Sequence, residues 1–371
     1  MNVLLITQEL DPNSSNMRVA HDWAAAIAAR CEHVTVLAAR ARRHDLPANV
    51  TVVPLRRSES DSRPLVLVRL LWHLFRLFAR GRVDVVFAHM VPAFALLAWP
   101  FCKLRRRPLT LWYTSHGRTR ALRLATRLID LPITASADSY PVADSRPAVI
   151  GHGIDVARLR AANVPPARPP LIAFAARITP LTQVELTIRA LGAPVLRDHP
   201  GQPVLEIAGE PFYPADREYV AGLKREAAAL GLADRVTFRG GVPGTDMPAL
   251  YARSTITVSC RAVPAMDKSA LESLAAGVPV VTNNPSFISL FGDYADQLSF
   301  VGADPVALAA RIAALLDKPA ACQKIASDLA ESVERFHGLE GFADRLVDIF
   351  RTLDGGGAVD LAAIENESGV L

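Results

Sequence analysis

At 371 residues the chain exceeds one compact core and suits two domains, and its 50% hydrophobic residues give ample material to bury in them. Its four cysteines, Cys31, Cys102, Cys260 and Cys322, are scattered without metal-like or redox-like spacing, which argues for a reducing compartment. The net charge of +4 is unevenly placed: from Arg63 to Arg127 thirteen basic residues stand against one acid, Asp84.

Residues 1–7 lack the basic start of a signal peptide and run directly into a predicted strand at 3–7, so a cytoplasmic location is expected. A polar loop at 11–16 and a helix from about 17 to 30 follow, then strands at 34–38 and 51–54. The run Leu70-Leu71-Trp72-His73-Leu74-Phe75-Arg76-Leu77-Phe78-Ala79-Arg80 interleaves bases with large apolar side chains. That pattern suits an amphipathic helix on the anionic inner face of a membrane, or a core helix with a basic outer edge. It suits a stacking platform for bases less, so no nucleic-acid partner is expected. Residues 85–102 are the most hydrophobic stretch but contain His89, Pro92 and Pro100 and fall short of a span, so no transmembrane segment is expected. Further strands are predicted at 83–88, 109–113, 131–135 and 148–150, closing a first domain over 1–160.

Residues 161–170, Ala-Ala-Asn-Val-Pro-Pro-Ala-Arg-Pro-Pro, fit neither helix nor sheet and read as a linker. The alternation then restarts over 171–335, with strands at 171–175, 204–208, 236–239, 256–259 and 278–282. Continuous apolar strands separated by helices argue for parallel sheets covered on both faces. The fold class is therefore α/β, with two facing Rossmann-like domains and a cleft at the carboxyl ends of their strands. A helix at 336–354 could cross back to the first domain, and Gly355-Gly356-Gly357 opens a tail, 355–371, expected to be disordered.

Met266-Asp267-Lys268-Ser269-Ala270-Leu271-Glu272 reads as a loop entering a short helix that Gly277 ends. A helix start offers unpaired N–H groups and partial positive charge, a seat for phosphate, and Lys268 adds a full charge. Glu272, one turn on, suits sugar hydroxyls. The competing reading is a solvated i,i+4 pair on a surface helix. Arg177 follows the 171–175 strand, and an arginine fork suits a diphosphate. Gly209-Glu210 follows the next strand, where glycine permits close approach of a ligand. In the first half a strand ends at Ser115-His116-Gly117, with Gly117 read as leaving the loop open, and Gly151-His152-Gly153 supplies a second candidate histidine near the crossing.

Together these segments resemble the GT-B-fold glycosyltransferases, in particular the retaining family 4 group (glycosyl transferases group 1) of bacterial polysaccharide and glycolipid assembly. The resemblance runs through the strand ending in His116, Gly151–Asp155, Arg177, Gly209-Glu210, Leu232–Gly240, Met247–Tyr251 and Asp267–Val281. It implies catalytic roles for His116, Arg177 and Lys268, and a donor site of Gly209, Glu210, Asp267, Ser269, Ala270 and Glu272. Asn16 and Arg18 would lie on the acceptor side. It further implies a UDP- or GDP-linked sugar as co-substrate, no cofactor or metal, and a lipid-linked or saccharide acceptor. Three positions depart from the family pattern: Thr182 stands where a lysine is usual, Pro264 where a glutamate is usual, and Asn13–Asn16 where a Gly-rich loop is common. These departures keep open a catalytically degenerate scaffold as an alternative, and a nucleotide-sugar epimerase is the rival enzyme on the same scaffold.

Overall fold

The computed structural model of the chain describes every residue except Ser15, Asn16, Arg43, Glu59, Phe212 and 369–371, and only the backbone of 365–368. It divides into two compact units, Met1–Gly153 with Phe336–Leu371, and Ile154–Arg335.

The first unit holds a seven-stranded parallel sheet: β1 (Asn2–Leu10), β2 (His33–Ala41), β3 (Val50–Pro54), β4 (Val85–His89), β5 (Leu109–Trp112), β6 (Leu131–Thr134) and β7 (Ala148–Val149), in the order β3-β2-β1-β4-β5-β6-β7. Alternation along β1 explains its apolar run. Val3 and Leu5 enter one core with Trp23, Ile27, Phe342 and Phe350, while Leu4 and Ile6 enter the other with Leu70, Leu74 and Phe78. Trp23, on the helix Arg18–Ala28, stacks on Phe342 at 4.5 Å and meets Trp112 edge-on at 4.8 Å, so the helix Leu339–Asp354 is built into this unit.

Gly153 closes the unit beneath Trp23, whose indole Nε1–H donates to its carbonyl at 3.3 Å. Its φ of +61° and a Cβ position only 2.5 Å from that nitrogen leave room for glycine alone.

The second unit holds β8 (Leu171–Ala175), β9 (Val204–Ala208), β10 (Val236–Gly240), β11 (Ile256–Ser259) and β12 (Val280–Thr282), all parallel, in the order β10-β9-β8-β11-β12. In both sheets the chain winds outward from the first strand, then returns to its other side. The switch points lie between β1 and β4 and between β8 and β11, where crevices open beyond the strand ends.

Two expectations change. The unit boundary falls at Gly153/Ile154, ahead of the proline-rich 161–170, because Ile154, Val156 and Leu159 are buried in the second core. The tail is not without structure: Leu361–Ser368 is helical, and Leu361 and Ile364 pack on the first core. The helix Arg63–Ala79, for which the sequence left an amphipathic and a core reading open, buries only Leu70, Leu74 and Phe78 and leaves Val68, Trp72 and Phe75 more than half exposed. Among the described residues no helix is long and apolar enough to cross a membrane.

Candidate active site

In the second unit the helix Lys268–Ala275 follows β11 and is anchored from behind. Ser273 is buried and donates to the Thr257 hydroxyl at 2.7 Å. Asp267 occupies the N-cap position, where a carboxylate would ordinarily accept from the first-turn amides. It makes no such bond. Its carboxylate instead accepts from Ser259 Oγ at 3.1 Å and pairs with the Arg261 guanidinium. Burial pushes the Asp267 carboxyl up, against the opposing pull of Arg261 and Ser259. The helix start is thus left without a side-chain cap, which preserves its partial positive charge for a ligand.

Arg261 escaped the sequence reading. It lies just past β11, as Arg177 lies just past β8, and adjacency of these strands puts both at the switch point. Desolvation, and then the charge of Arg261, hold the Arg177 guanidinium below its ordinary value, against Tyr213 and Asp267. Two guanidiniums brought together at one switch point form a concentrated positive site. A dianion placed there would relieve their mutual repulsion and accept from both forks. Arg261 Nε is buried without a hydrogen-bond partner among the described residues. Only the strand order could have pointed to Arg261, since its own sequence context, Cys260-Arg261-Ala262, carries no motif.

Lys268 and Glu272 do form an i,i+4 pair, at 2.5 Å, but it is not a solvated one. Glu272 is buried, with Tyr251 Oη at 3.4 Å and the Arg158 guanidinium in an ion pair at 3.9 Å. The single proton of Tyr251 Oη is shared with the Ser269 carbonyl at 3.1 Å, and burial, then Glu272, drives the Tyr251 phenol well above the usual range. The carboxylate is therefore oriented by three groups and keeps lone pairs for further donors. Ala270, by contrast, is fully buried in the core.

Gly209 is required for a reason different from the one its position suggested. A Cβ there would lie 1.9 Å from the Ala176 carbonyl oxygen, so backbone crossing backbone, not ligand approach, demands glycine. Glu210 accepts from the Gly241 amide at 3.3 Å. The two residues open a cavity of about 660 Å³ lined also by Tyr213, Arg217, Lys224 and Arg239.

Two of the three departures from the family pattern can be placed in the structure. Thr182 is buried, and its hydroxyl shares its one proton between the carbonyls of Arg177 (3.0 Å) and Thr179 (2.8 Å) while accepting from the Thr179 amide at 3.3 Å. It closes the turn that carries Arg177. Thr182→Val is expected to cost about 1–2 kcal/mol in denaturant unfolding, because buried backbone groups lose their partner; an unchanged midpoint would show the turn does not depend on it. Pro264 lies exposed in the loop before the helix and brings no acid there.

In the first unit His116 is half-buried, and its Nε2 is buried without a hydrogen-bond partner among the described residues. Gly117 does not leave the loop open: Tyr113 Oη donates to its carbonyl at 2.9 Å and would lie 2.9 Å from a Cβ. His152 is buried, packed edge-on to Trp112 at 6.3 Å and 6.4 Å from His337, which burial holds down to about 3. That setting is a packed core, not an open site. Arg18 begins its helix but is tied to Asp22 at 3.2 Å and to the Pro12 carbonyl at 2.5 Å. Asn16 lies outside the described residues.

With this geometry, residues 155–331 match the family model of glycosyl transferases group 1. This stretch is a glycosyl transferases group 1 domain. The chain is 31% identical over 229 residues to the D-inositol 3-phosphate glycosyltransferase of Salinispora tropica, covering 54% of this chain and 45% of that one. It is 32% identical over 119 residues to a GDP-mannose-dependent alpha-(1-6)-phosphatidylinositol monomannoside mannosyltransferase of Mycolicibacterium smegmatis, covering 30% and 29%. The match thus spans about half the length of the D-inositol 3-phosphate relatives.

Solved structures extend the likeness of fold over nearly the whole chain. Anabaena HepE in complex with UDP and glucose superposes with a TM-score of 0.75 at 18% identity, over 95% of this chain and 100% of that one. Sucrose-phosphate synthase from Thermosynechococcus elongatus gives 0.73 at 17% identity, over 96% and 100%. The fold is that of the GT-B glycosyltransferases, as expected from the sequence. Arg177, Arg261, Asp267, Lys268 and Glu272 all fall within the glycosyltransferase domain.

Proposed function

We propose that the chain is a retaining glycosyltransferase that moves a sugar from a nucleotide-sugar donor, UDP- or GDP-linked, to a lipid-linked or saccharide acceptor without a metal ion. The observation that carries this reading is the convergence of Arg177 and Arg261 at the β8/β11 switch point, beside a helix start whose capping aspartate is turned away. In the reaction the bond from the anomeric carbon to the diphosphate oxygen breaks, the acceptor oxygen bonds to that carbon on the same face, and the acceptor proton passes to the departing phosphate oxygen. The transition state resembles an oxocarbenium ion leaving a diphosphate. Two guanidiniums, Lys268 and the helix start supply the countercharge, so catalysis rests on positioning and electrostatics. Glu272 serves the ribose, and His116, with its unpartnered Nε2, serves the transferred sugar.

Analysis of the product anomer by NMR tests the reading: the donor's configuration should be kept, at an undiminished rate with chelator present. An inverted product, or activity lost to chelator and restored by a divalent cation, would overturn it. Thr182 and the exposed Pro264 favour one rival, a degenerate transferase acting as a scaffold; it predicts nucleotide binding with no turnover of any nucleotide sugar.

We further propose that the first unit meets an anionic lipid surface. Val68, Trp72 and Phe75 are exposed along one helix, Leu104 is 80% exposed, and Arg76, Arg80, Arg82, Arg105 and Arg106 are exposed with no ion pair among the described residues. Arg107 is not part of this free charge, being paired with Asp84 at 3.3 Å and Asp354 at 3.0 Å. The chain is expected to sediment with phosphatidylglycerol vesicles at low salt, to be released as salt rises, and to ignore phosphatidylcholine vesicles. Sedimentation independent of lipid charge would refute this.

A further inference from the structure

The amino-terminal edge of the first sheet carries a cavity that none of the roles above uses. It measures about 390 Å³ and is walled by Asn2, His33 and Thr51, at the starts of β1, β2 and β3, and by His73, Arg76, Arg80 and Arg82 along and beyond the helix Arg63–Ala79. This is the end of the sheet opposite the carboxyl edge, where the crevices lie.

Its charge is one-sided. No ion pair or side-chain hydrogen bond engages Arg76, Arg80 or Arg82 among the described residues, whereas nearby arginines do find acids, Arg69 with Asp61 and Arg107 with Asp84. The acids of this edge are already engaged: Asp84 is held by the Asn2 amide at 2.7 Å and by Arg107, and Glu32 pairs with the amino terminus at 3.7 Å. Attraction to the carbonyl end of the helix explains one or two cations in its last turn. It does not explain three guanidiniums and two imidazoles converging on one concavity, with Arg82 beyond the helix altogether. Three uncompensated forks around a hollow repel one another unless an anion joins them. The helix sets a tail beside the hollow. His73, Arg76 and Arg80 share one of its faces, and Val68, Trp72 and Phe75 occupy the next, exposed one.

We propose that this cavity binds a phosphate ester, held by Arg76, Arg80 and Arg82 with His33 and His73 at its wall, as a site separate from that of the nucleotide sugar. The proposal does not rest on the transferase reading, since binding is measured on the full chain without donor. The phosphate could be borne by a lipid headgroup, whose chains would lie along Val68, Trp72 and Phe75, or by a soluble molecule.

Two probes distinguish these sources: glycerol 3-phosphate in solution, and phosphatidic acid in phosphatidylcholine vesicles. The readout is the imidazole titration of His73 by NMR. Burial, then Arg76 and Arg57, now hold that imidazole below its ordinary value, and an anion among the arginines must raise it. Saturable binding with an upward His73 shift, weakened at least tenfold in the combined Arg76→Gln, Arg80→Gln and Arg82→Gln variant, supports the proposal. In the soluble arm the Arg105→Gln and Arg106→Gln pair should bind glycerol 3-phosphate normally. A response to vesicles alone assigns the site to lipid, and an equal response to both probes assigns it to a soluble ester. No His73 shift with either probe, or equal weakening by the Arg105/Arg106 variant in the soluble arm, overturns it.

Discussion

Arg177→Ala should weaken binding of a nucleoside diphosphate by about 2 kcal/mol, roughly 30-fold, and leave binding of the nucleoside nearly unchanged. The guanidinium addresses phosphate oxygens, and the nucleoside has none. Arg261→Ala should lose at least as much, for two reasons. It removes a second fork, and it strands the buried Asp267 carboxylate beside the phosphate site. Arg261→Ala combined with Asp267→Ala should therefore bind the diphosphate better than Arg261→Ala alone, because the repelling charge is gone. Calorimetric titration of each variant with diphosphate and nucleoside checks both statements. Equal losses for the two ligands in Arg177→Ala would show that this arginine does not touch the phosphates.

The second large effect concerns stability. Gly209→Ala should cost about 3 kcal/mol, at the upper end of what overpacking costs, because the new methyl group meets the Ala176 carbonyl and not a side chain able to swing away. The crossing of backbones beyond β8 and β9 would have to open, and Arg177 sits one residue past that carbonyl. Gly231→Ala makes a useful comparison. Nothing lies within 4 Å of its Cβ position, and only a φ of +70° opposes substitution, worth about 1–2 kcal/mol. Denaturant midpoints for the two variants decide the matter: if they coincide, the carbonyl contact is not what requires glycine at 209. Loss of diphosphate affinity in folded Gly209→Ala would also tie this crossing to the placement of Arg177.

Much of the fold was legible because parallel strands buried on both faces read as unbroken apolar runs. Among the described residues each of the twelve strands falls within a few residues of one the sequence predicted, and most are such runs. The positions of Arg177, Lys268 and Glu272 in the fold were legible too, since each sits on a local signal, a strand end or a helix start. The unit boundary was not. Prolines at 161–170 mark an irregular segment, but apolar side chains at Ile154, Val156 and Leu159 decide which core the chain has already joined. Nor could composition foresee that Leu361 and Ile364 would hold the tail in a helix.

By itself, then, the sequence determined the alternation of strand and helix, the two-sheet organisation, the glycosyltransferase signature and the basic character of the first unit. These are properties of hydrophobic period and of charge along the chain, and they need no knowledge of neighbours. Strand order lay beyond it. Only the tertiary structure sets β8 beside β11, bringing Arg261 to Arg177 and turning Asp267 from the helix start to Arg261. It also decided that Glu272 would be a buried carboxylate shared by Lys268, Tyr251 and Arg158, and that Arg107 would be neutralised while Arg76, Arg80 and Arg82 converge on one hollow. Pairing and burial depend on residues remote in the chain, and their cost or gain is fixed only when the surrounding low-dielectric walls are assembled.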